Sequence, residues 1–385
     1  MKRAGLALLL AAAAAVQAAP FTPRSDDEVV EKLPANIDAA VRGVESLRRQ
    51  LAARPNDTPL RLDIARRYFD LAMAQGDPRY VGYAFAALAP LEKTPPDDAH
   101  YWLVRGLLQQ YSHDFDGALV ALGRASDLDP QAVEPIAWRA AIRMVQARYG
   151  EAEAECRKLT PLADLLLARG CAAYVQAATG QLLQAHDGLA AVLALEPDAG
   201  AGLQLWVRTR LAEMAIRMQR WDEAEQHFKA ALQLGITDQF LLGAYADFLL
   251  MRERPKEAIA LLEGWERSDV LLLRLALAGK AAADPRARDW AKQLRERFDA
   301  AAQRGDRLHE QEAARFALDV ENKPQQALAL ARRNYEVQKE PRDAEILLRA
   351  AAAAGQPQAA APAVEWLRAS GYQDARLQAL AEGLK

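Results

Sequence analysis

The sequence predicts an all-α fold, a right-handed superhelical solenoid of about nine helical hairpins, from two observations. The first is composition: apolar residues make up 51% of the 385 residues and aromatic residues only 7%, with Ala and Leu dominant, which favours helices over sheets. The second is a pair of small residues, twelve positions apart, that recurs every 33 to 39 residues. A nearly fixed period of this length is typical of stacked helical hairpins.

The small residues of each pair are expected where the two helices of a hairpin touch, because a larger side chain would push the helices apart. Residues 99–130 are the clearest unit, with two amphipathic segments separated by the turn His113–Asp116. The pairs, in chain order, are Ala72/Ala84, Gly106/Ala118, Ala140/Ala152, Ala173/Ala185, Ala212/Ala224, Ala246/Ala258 and Gly279/Ala291.

These units resemble the tetratricopeptide repeat (TPR), whose pattern contains W-x2-L-G-x2-Y, A-x3-F and a closing Pro. In residues 99–130 Trp102, Gly106, Ala118 and Pro130 match the pattern, and Leu122 stands for the Phe. Further matches are Tyr68, Leu71, Ala72, Ala84 and Pro96 in the first unit, Ala185 and Pro197 in the fourth, and Leu211, Ala224, Phe228 and Ala231 in the fifth. The resemblance covers roughly residues 58–370 and weakens after 300, where Arg315 occupies the small-residue position paired with Ala327.

The first 18 residues have the pattern of a secretory signal peptide. Lys2 and Arg3 precede an apolar core over residues 6–16, and a cleavage site follows between Ala18 and Ala19. The alternative is an uncleaved anchor, but this core is shorter than the roughly 20 residues that a bilayer requires. We therefore expect a periplasmic or secreted protein without a membrane span in the mature chain.

The rest of the chain divides into four parts. Residues 19–35 are expected to form a flexible lead-in because three prolines interrupt them, and residues 36–57 an N-terminal helix capped by Asn36. The helical repeats extend over residues 58–371, and a last helix in residues 372–385 is expected to cover the open end of the stack. The turns within hairpins are expected near residues 76–78, 113–116, 148–149, 179–180, 219–221, 254, 284, 322–324 and 355–357.

The two cysteines, Cys156 and Cys171, are expected on neighbouring helices of successive hairpins. Export would place them in an oxidising compartment, which favours a disulfide. The alternative is a pair of small buried thiols. A metal site is not expected, because no His or second Cys pair lies at ligand spacing.

We find no pattern that indicates catalysis, a cofactor or a metal. The five histidines are scattered, and the segment His309–Ala313 begins like a zinc-protease HExxH motif but ends in Ala. Gly200 and Gly202 lack the third glycine of a dinucleotide-binding loop. The net charge of −3, or −5 without residues 1–18, gives no basis for a nucleic-acid partner.

The function that the sequence leaves is the binding of another protein. The TPR resemblance implies that the first helix of each hairpin lines a concave groove. The candidate partner-binding residues that follow from this register are His100, Tyr111, Trp138, Tyr174, Arg210, Glu213, Arg217 and Asp247. Exposed aromatic residues are typical binding hot spots. The alternative is that the aromatic residues pack in the core and that the Arg and Glu residues pair within their helix.

The TPR resemblance and the signal-peptide pattern together imply a non-enzymatic periplasmic scaffold that holds a protein or peptide in its groove. The alternative function is an adaptor in cell-envelope assembly, secretion or polysaccharide export. These roles would differ in whether a membrane protein is among the partners.

Overall fold

The computed structural model describes residues 39–384, so the predicted signal peptide and lead-in lie outside the described residues. Within them every regular element is a helix, comprising twenty α-helices and two short 3-10 helices. This confirms the all-α solenoid. None of the helices in residues 39–384 combines the length and the apolar character that a membrane span requires.

The helices pair as nine successive hairpins between an N-terminal helix and a C-terminal helix. The N-terminal helix is α1 (Ala39–Ala53), and the first five hairpins are α2 (Thr58–Gln75) with α3 (Arg79–Leu88), α4 (Ala99–Tyr111) with α5 (Phe115–Leu128), α6 (Val133–Val145) with α7 (Tyr149–Leu159), α8 (Leu165–Ala178) with α9 (Leu182–Leu195), and α10 (Ala201–Arg217) with α11 (Trp221–Leu232). The last four are α12 (Gln239–Met251) with α13 (Pro255–Leu261), α14 (Asp269–Ala282) with α15 (Ala287–Gln303), α16 (Glu310–Asp319) with α17 (Pro324–Val337), and α18 (Pro341–Ala353) with α19 (Ala361–Ser370), followed by α20 (Ala375–Glu382). In each hairpin the first helix also contacts the first helix of the next, so these helices form the inner layer.

The ends of the helices follow local sequence. The side chains of Asp57, Asp98, Asp114, Asp238 and Asp374 each accept a hydrogen bond from a backbone N–H in the first turn of the following helix. Each of the nine turns within a hairpin contains one residue with positive φ, and six of these are not glycine. These residues are Gly76, His113, Ala147, Gly180, Gln219, Glu253, Ala283, Asn322 and Gly355.

The expected contact between small residues occurs in the second hairpin. A Cβ atom on Gly106 would lie 2.7 Å from Leu122 Cγ and 3.3 Å from the carbonyl oxygen of Ala118. The backbones of α4 and α5 can therefore approach only because position 106 has no side chain. Both members of the pairs Ala72/Ala84 and Ala212/Ala224 are likewise fully buried.

The register of this pair changes in the seventh and eighth hairpins. Gly279 was expected to pair with Ala291, but the atoms nearest to a Cβ at position 279 belong to Ala287 and Trp290. In the eighth hairpin Ala314, and not Arg315, is fully buried beside Ala327. Arg315 instead extends to Asp247, which explains why the repeat pattern weakens there.

A disulfide joins Cys156 in α7 to Cys171 in α8, as expected from the stacking of successive hairpins. The two Cα atoms are 5.5 Å apart. The bond connects the third hairpin to the fourth.

The later hairpins turn back and pack against the earlier ones. We call this contact surface the seam; it lies between the turns of hairpins one to five and the chain from Gln239 to Gln373. The backbone N–H of Lys339 donates to the carbonyl oxygen of Val145 at 2.7 Å, and that of Leu182 donates to Gln373 Oε1 at 2.9 Å. The indole N–H of Trp366 donates to the Tyr149 hydroxyl at 2.8 Å. The solenoid is therefore closed upon itself along one edge.

Candidate interaction site on the inner face

The inner face combines charged side chains from helices that are distant in sequence. We call Tyr174, Arg210, Glu213, Glu340 and Arg342 the inner cluster. Arg210 Nη1 lies 2.9 Å from Glu213 Oε2, and its guanidinium lies 5.1 Å from the centroid of the Tyr174 ring. On the opposite side Arg342 Nη2 lies 2.7 Å from Glu340 Oε2.

The two sides of the inner cluster are close enough to influence each other electrostatically. Burial raises the pKa of Tyr174 to about 12, although the Arg210 charge lowers it. From the other side of the cluster, the Glu340 charge raises this pKa and the Arg342 charge lowers it. Burial alone would raise the pKa of Glu340, but Arg342 outweighs it and lowers the pKa. The Arg342 side chain nevertheless remains 44% exposed and that of Glu213 39% exposed. The inner cluster thus surrounds a polar space that solvent reaches.

A second polar group lies beside this space. His309 Nδ1 lies 3.8 Å from Glu312 Oε2. Burial would raise the pKa of Glu312, but His309 lowers it to about 2. Burial lowers the pKa of the facing His113 to about 4, and the charge of His309 acts in the same direction. The charge of His309 thus stabilises the Glu312 carboxylate, whereas His113 is neutral at pH 7.

Burial also controls the first turn of α18. The Asp343 carboxylate accepts hydrogen bonds from Asn334 Nδ2 at 2.8 Å and from the backbone N–H of Glu340 at 2.9 Å. Burial, together with the Glu340 charge, raises the pKa of Asp343 to about 7. The start of α18, which carries Glu340 and Arg342, is thus held by a fully buried carboxyl group.

Asp247 is the centre of an ion-pair chain across the inner layer. Its Oδ2 lies 2.7 Å from Arg274 Nη2, and its Oδ1 lies 2.7 Å from Arg315 Nη1. Arg315 and Arg349 both approach Asp319. These ion pairs join α12, α14, α16 and α18. The Arg274 side chain is only 4% exposed, so the pair that Asp247 forms with it is part of the packed inner layer.

Arg217 forms its contacts in the seam. Its guanidinium lies 3.7 Å from the centroid of the Tyr372 ring, and it donates hydrogen bonds to the carbonyl oxygens of Gln373 and Ala177 at 2.9 and 2.6 Å. Arg210 and Glu213 lie in the inner cluster, whereas Arg217, on the same helix α10, contacts the C-terminal segment.

The predicted aromatic residues are not freely exposed. Trp138 packs edge-on against Phe69 with ring centroids 5.8 Å apart, and its indole N–H donates to Glu134 Oε1 at 3.3 Å. His100 is exposed at the start of α4. The packing alternative therefore applies to Trp138, whereas Tyr174 remains part of the inner cluster.

Tyr111 lines a cavity of about 470 Å³ in the seam. Phe85 and Leu308 contribute apolar surface there, while Arg307 and Glu310 contribute charge. A second cavity of about 620 Å³ lies between the turn of the third hairpin and hairpins eight and nine. Both cavities exist only because the solenoid closes.

The sequence reasoning missed Glu340, Arg342, His309 and Glu312. The first two precede or begin α18 in a segment, Lys339–Arg342, that reads as an ordinary charged turn with proline. Their position on the inner face depends on how the later hairpins return to the earlier ones. The repeat register alone gave no signal for that return.

One group of side chains has the composition of a metal site. One ligand atom each from His186, Glu223 and His227 lies within 4.8 Å of the others. No metal was expected because the histidines are far apart in sequence. The spacing of Glu223 and His227, four residues apart on α11, is the signal that could have indicated it.

Comparisons with known proteins give a likeness in fold only. The chain matches no protein-family model and no curated protein. Among solved structures it is similar to the APC/C hetero-tetramer Cut9-Hcn1 (14% identity, TM-score 0.43), with 81% of this chain and 52% of that chain covered. The chain therefore spans about half the length of that protein.

Two further solved structures are similar over most of this chain. PilW, described as a widely conserved type IV pilus biogenesis factor, is 19% identical with a TM-score of 0.34 and coverages of 61% and 94%. A human IFIT1 dimer with PPP-AAAA is 12% identical with a TM-score of 0.47 and coverages of 85% and 78%. These TM-scores are below 0.5, so the comparisons carry no argument about the fold. The TPR-like fold is instead established by the helical hairpins of this chain and their period.

Proposed function

We propose that the protein is an exported, non-enzymatic scaffold that holds an extended segment of another protein against its inner face. The observation that carries this proposal is the inner cluster, where Arg342 and Glu213 stay partly exposed inside a ring of helices. Such half-exposed, oppositely charged groups can position a partner's charged side chains and backbone.

The width of the inner face limits the kind of partner. Helices α2 and α12 come into direct contact, and the seam closes one edge of the solenoid. A folded domain would require the seam to open. An extended or singly helical segment is therefore the partner that we propose, and the apolar surface of Tyr111 and Phe85 in the seam cavity would bind its apolar side chains.

Crosslinking in intact cells, followed by purification of the tagged protein, tests this proposal. We expect a specific partner with the wild type, and its loss in Arg342→Gln and Arg210→Gln. The matched control is Arg368→Gln, since Arg368 is an exposed residue of α19 that pairs with Glu365 in its own helix. Equal capture by all four proteins would contradict binding at the inner cluster.

Export is proposed from residues 1–18. The test is the mass of the N-terminal peptide of the protein expressed in its native cells and recovered from the cell envelope. A chain that begins at Ala19 would support export through a cleaved signal peptide. An intact Met1 on a chain recovered from the cytoplasm would contradict it.

A further inference from the structure

His186 presents an unpartnered ring nitrogen to two other potential metal ligands. It lies in the first turns of α9, and its side chain is only 2% exposed. Its Nδ1 lies 3.0 Å from Asp187 Oδ1, and because a carboxylate only accepts hydrogen bonds, Nδ1 carries the proton. Nε2 then presents a lone pair, is buried and has no hydrogen-bond partner within the described part of the chain.

That lone pair faces a carboxylate. His186 Nε2 lies 3.3 Å from Glu223 Oε1. Two groups of lone pairs at this separation repel each other unless a proton or a cation lies between them. In a tetrahedral zinc site with bonds of about 2.0–2.1 Å, neighbouring ligand atoms are separated by about 3.3 Å. The observed distance matches the separation of two ligands on one such ion.

His227 supplies a third ligand on the same side. It lies one helical turn after Glu223 in α11, which places both side chains on one face of the helix. Its ring centroid is 6.4 Å from that of His186, and a ligand atom of each of the three residues lies within 4.8 Å of the others. Its imidazole is partly buried beside that of His186, and a neutral imidazole is a common metal ligand.

From this geometry we propose that His186, Glu223 and His227 form a binding site for a divalent transition-metal ion, with Zn²⁺ as the best-fitting example. Two imidazoles and one carboxylate leave a fourth position for water. Asp187 is a positioning residue, because its hydrogen bond fixes the tautomer that directs Nε2 of His186 toward the ion.

Arg208 acts on His227 through its charge, and Arg220 also opposes a cation at the site. Arg220 Nη1 lies 3.5 Å from both Asp187 Oδ1 and Glu223 Oε2. The side chain is 40% exposed, so it can rotate away when an ion binds. Its removal should therefore strengthen metal binding, whereas removal of a charge from a purely structural ion-pair cluster would give no such gain.

The test uses the full chain, stripped with a chelator and titrated with ZnCl2 against a chromophoric competitor. We expect one equivalent of tight binding, and a loss of affinity of at least about tenfold in His227→Gln and in Glu223→Gln. Asp187→Asn, which removes no ligand, is expected to weaken binding by about 10–100-fold. Arg220→Gln is expected to strengthen it.

The controls separate this site from adventitious binding and from loss of folding. His100→Gln removes an exposed histidine on α4 and should leave the affinity unchanged. Because Glu223 and His227 are only partly buried, their variants keep the fold, which circular dichroism checks. Co²⁺ in place of Zn²⁺ should show the visible absorption of a four-coordinate ion. The proposal is overturned if the wild type binds no equivalent of Zn²⁺, or if His227→Gln binds it equally well.

Discussion

His113 combines a left-handed backbone with a half-buried imidazole. Its φ is +60° in the turn between α4 and α5, and it faces His309, Glu312, Glu340 and Arg342. The backbone conformation disfavours most side chains, but Asn tolerates it well. Substitution with Asn therefore removes the titration and leaves the turn intact.

We predict that His113→Asn reduces the loss of stability on acidification. Burial lowers the pKa of His113 from 6.5 to about 4 in the folded state, so the unfolded chain takes up the proton first. This group contributes stability above pH 6.5, which is lost as the pH falls toward 4. The contribution should be about 1–2 kcal/mol smaller at pH 5 than at pH 7.

Urea denaturation at pH 7 and pH 5 measures this difference. The wild type should lose more free energy of unfolding than His113→Asn between the two pH values. The control is His100→Asn, because His100 is exposed at the start of α4. An identical loss in wild type and His113→Asn would show that the imidazole does not titrate across this range.

The second hairpin contains one glycine that helix packing requires and one that it does not. Gly106 and Gly123 lie on the two helices of the second hairpin. A Cβ on Gly106 would lie 2.7 Å from Leu122 Cγ, whereas a Cβ on Gly123 would meet no atom of the described residues within 4 Å. The same chemical change should therefore have opposite effects at the two sites.

We predict that Gly106→Ala destabilises the protein by about 1–3 kcal/mol, because α4 and α5 must separate. Gly123→Ala should stabilise it by about 0.5–1 kcal/mol, since Ala has the higher helix propensity and restricts the unfolded chain. Thermal denaturation of both variants measures the two effects. Stabilisation by both substitutions would mean that the helices adjust without cost.

The disulfide joins two hairpins through a short loop. Cys156 and Cys171 are 15 residues apart and lie on α7 and α8. We predict that the double variant Cys156→Ala/Cys171→Ala loses about 3 kcal/mol of unfolding free energy, because the unfolded chain is no longer restricted. Denaturation with and without a reducing agent measures it. Reduction should affect only the wild type.

The hairpins were predictable from sequence because their determinants are local. Small residues at Gly106 and Ala118 permit close packing, and proline and aspartate mark helix starts such as Asp114 and Pro324. The disulfide followed from the stacking of adjacent hairpins. The shift at Gly279 was not predictable from the repeat, because the connection over residues 283–286 has four residues, whereas each of the first six hairpins has three.

The closure of the solenoid has no comparable local determinant. It results from small rotations between hairpins, which add up until Lys339 meets Val145 and Gln373 meets Leu182. The candidate binding residues were therefore predicted from an open groove. In the closed molecule Arg217 belongs to the seam, and Glu340 and Arg342 take part in the inner face.

An open solenoid can unfold from its ends, because each hairpin contacts only its neighbours. The seam adds contacts between hairpins three and nine, which are far apart in sequence. Tyr149 accepts a hydrogen bond at 2.8 Å from Trp366, whose side chain is buried. The last hairpin should therefore unfold together with the third, and not independently from the end of the solenoid.

We predict that Tyr149→Phe lowers the free energy of unfolding by about 1–3 kcal/mol, because the Trp366 indole N–H loses its partner inside the protein. Amide exchange should then increase in both α7 and α19. Tyr335→Phe is the matched control: Tyr335 and Trp366 both line the cavity of about 620 Å³, but the Tyr335 hydroxyl is buried and has no hydrogen-bond partner among residues 39–384, so its removal should be neutral or stabilising. Faster exchange in α19 with no change in α7 would mean that the seam does not couple the two parts of the solenoid.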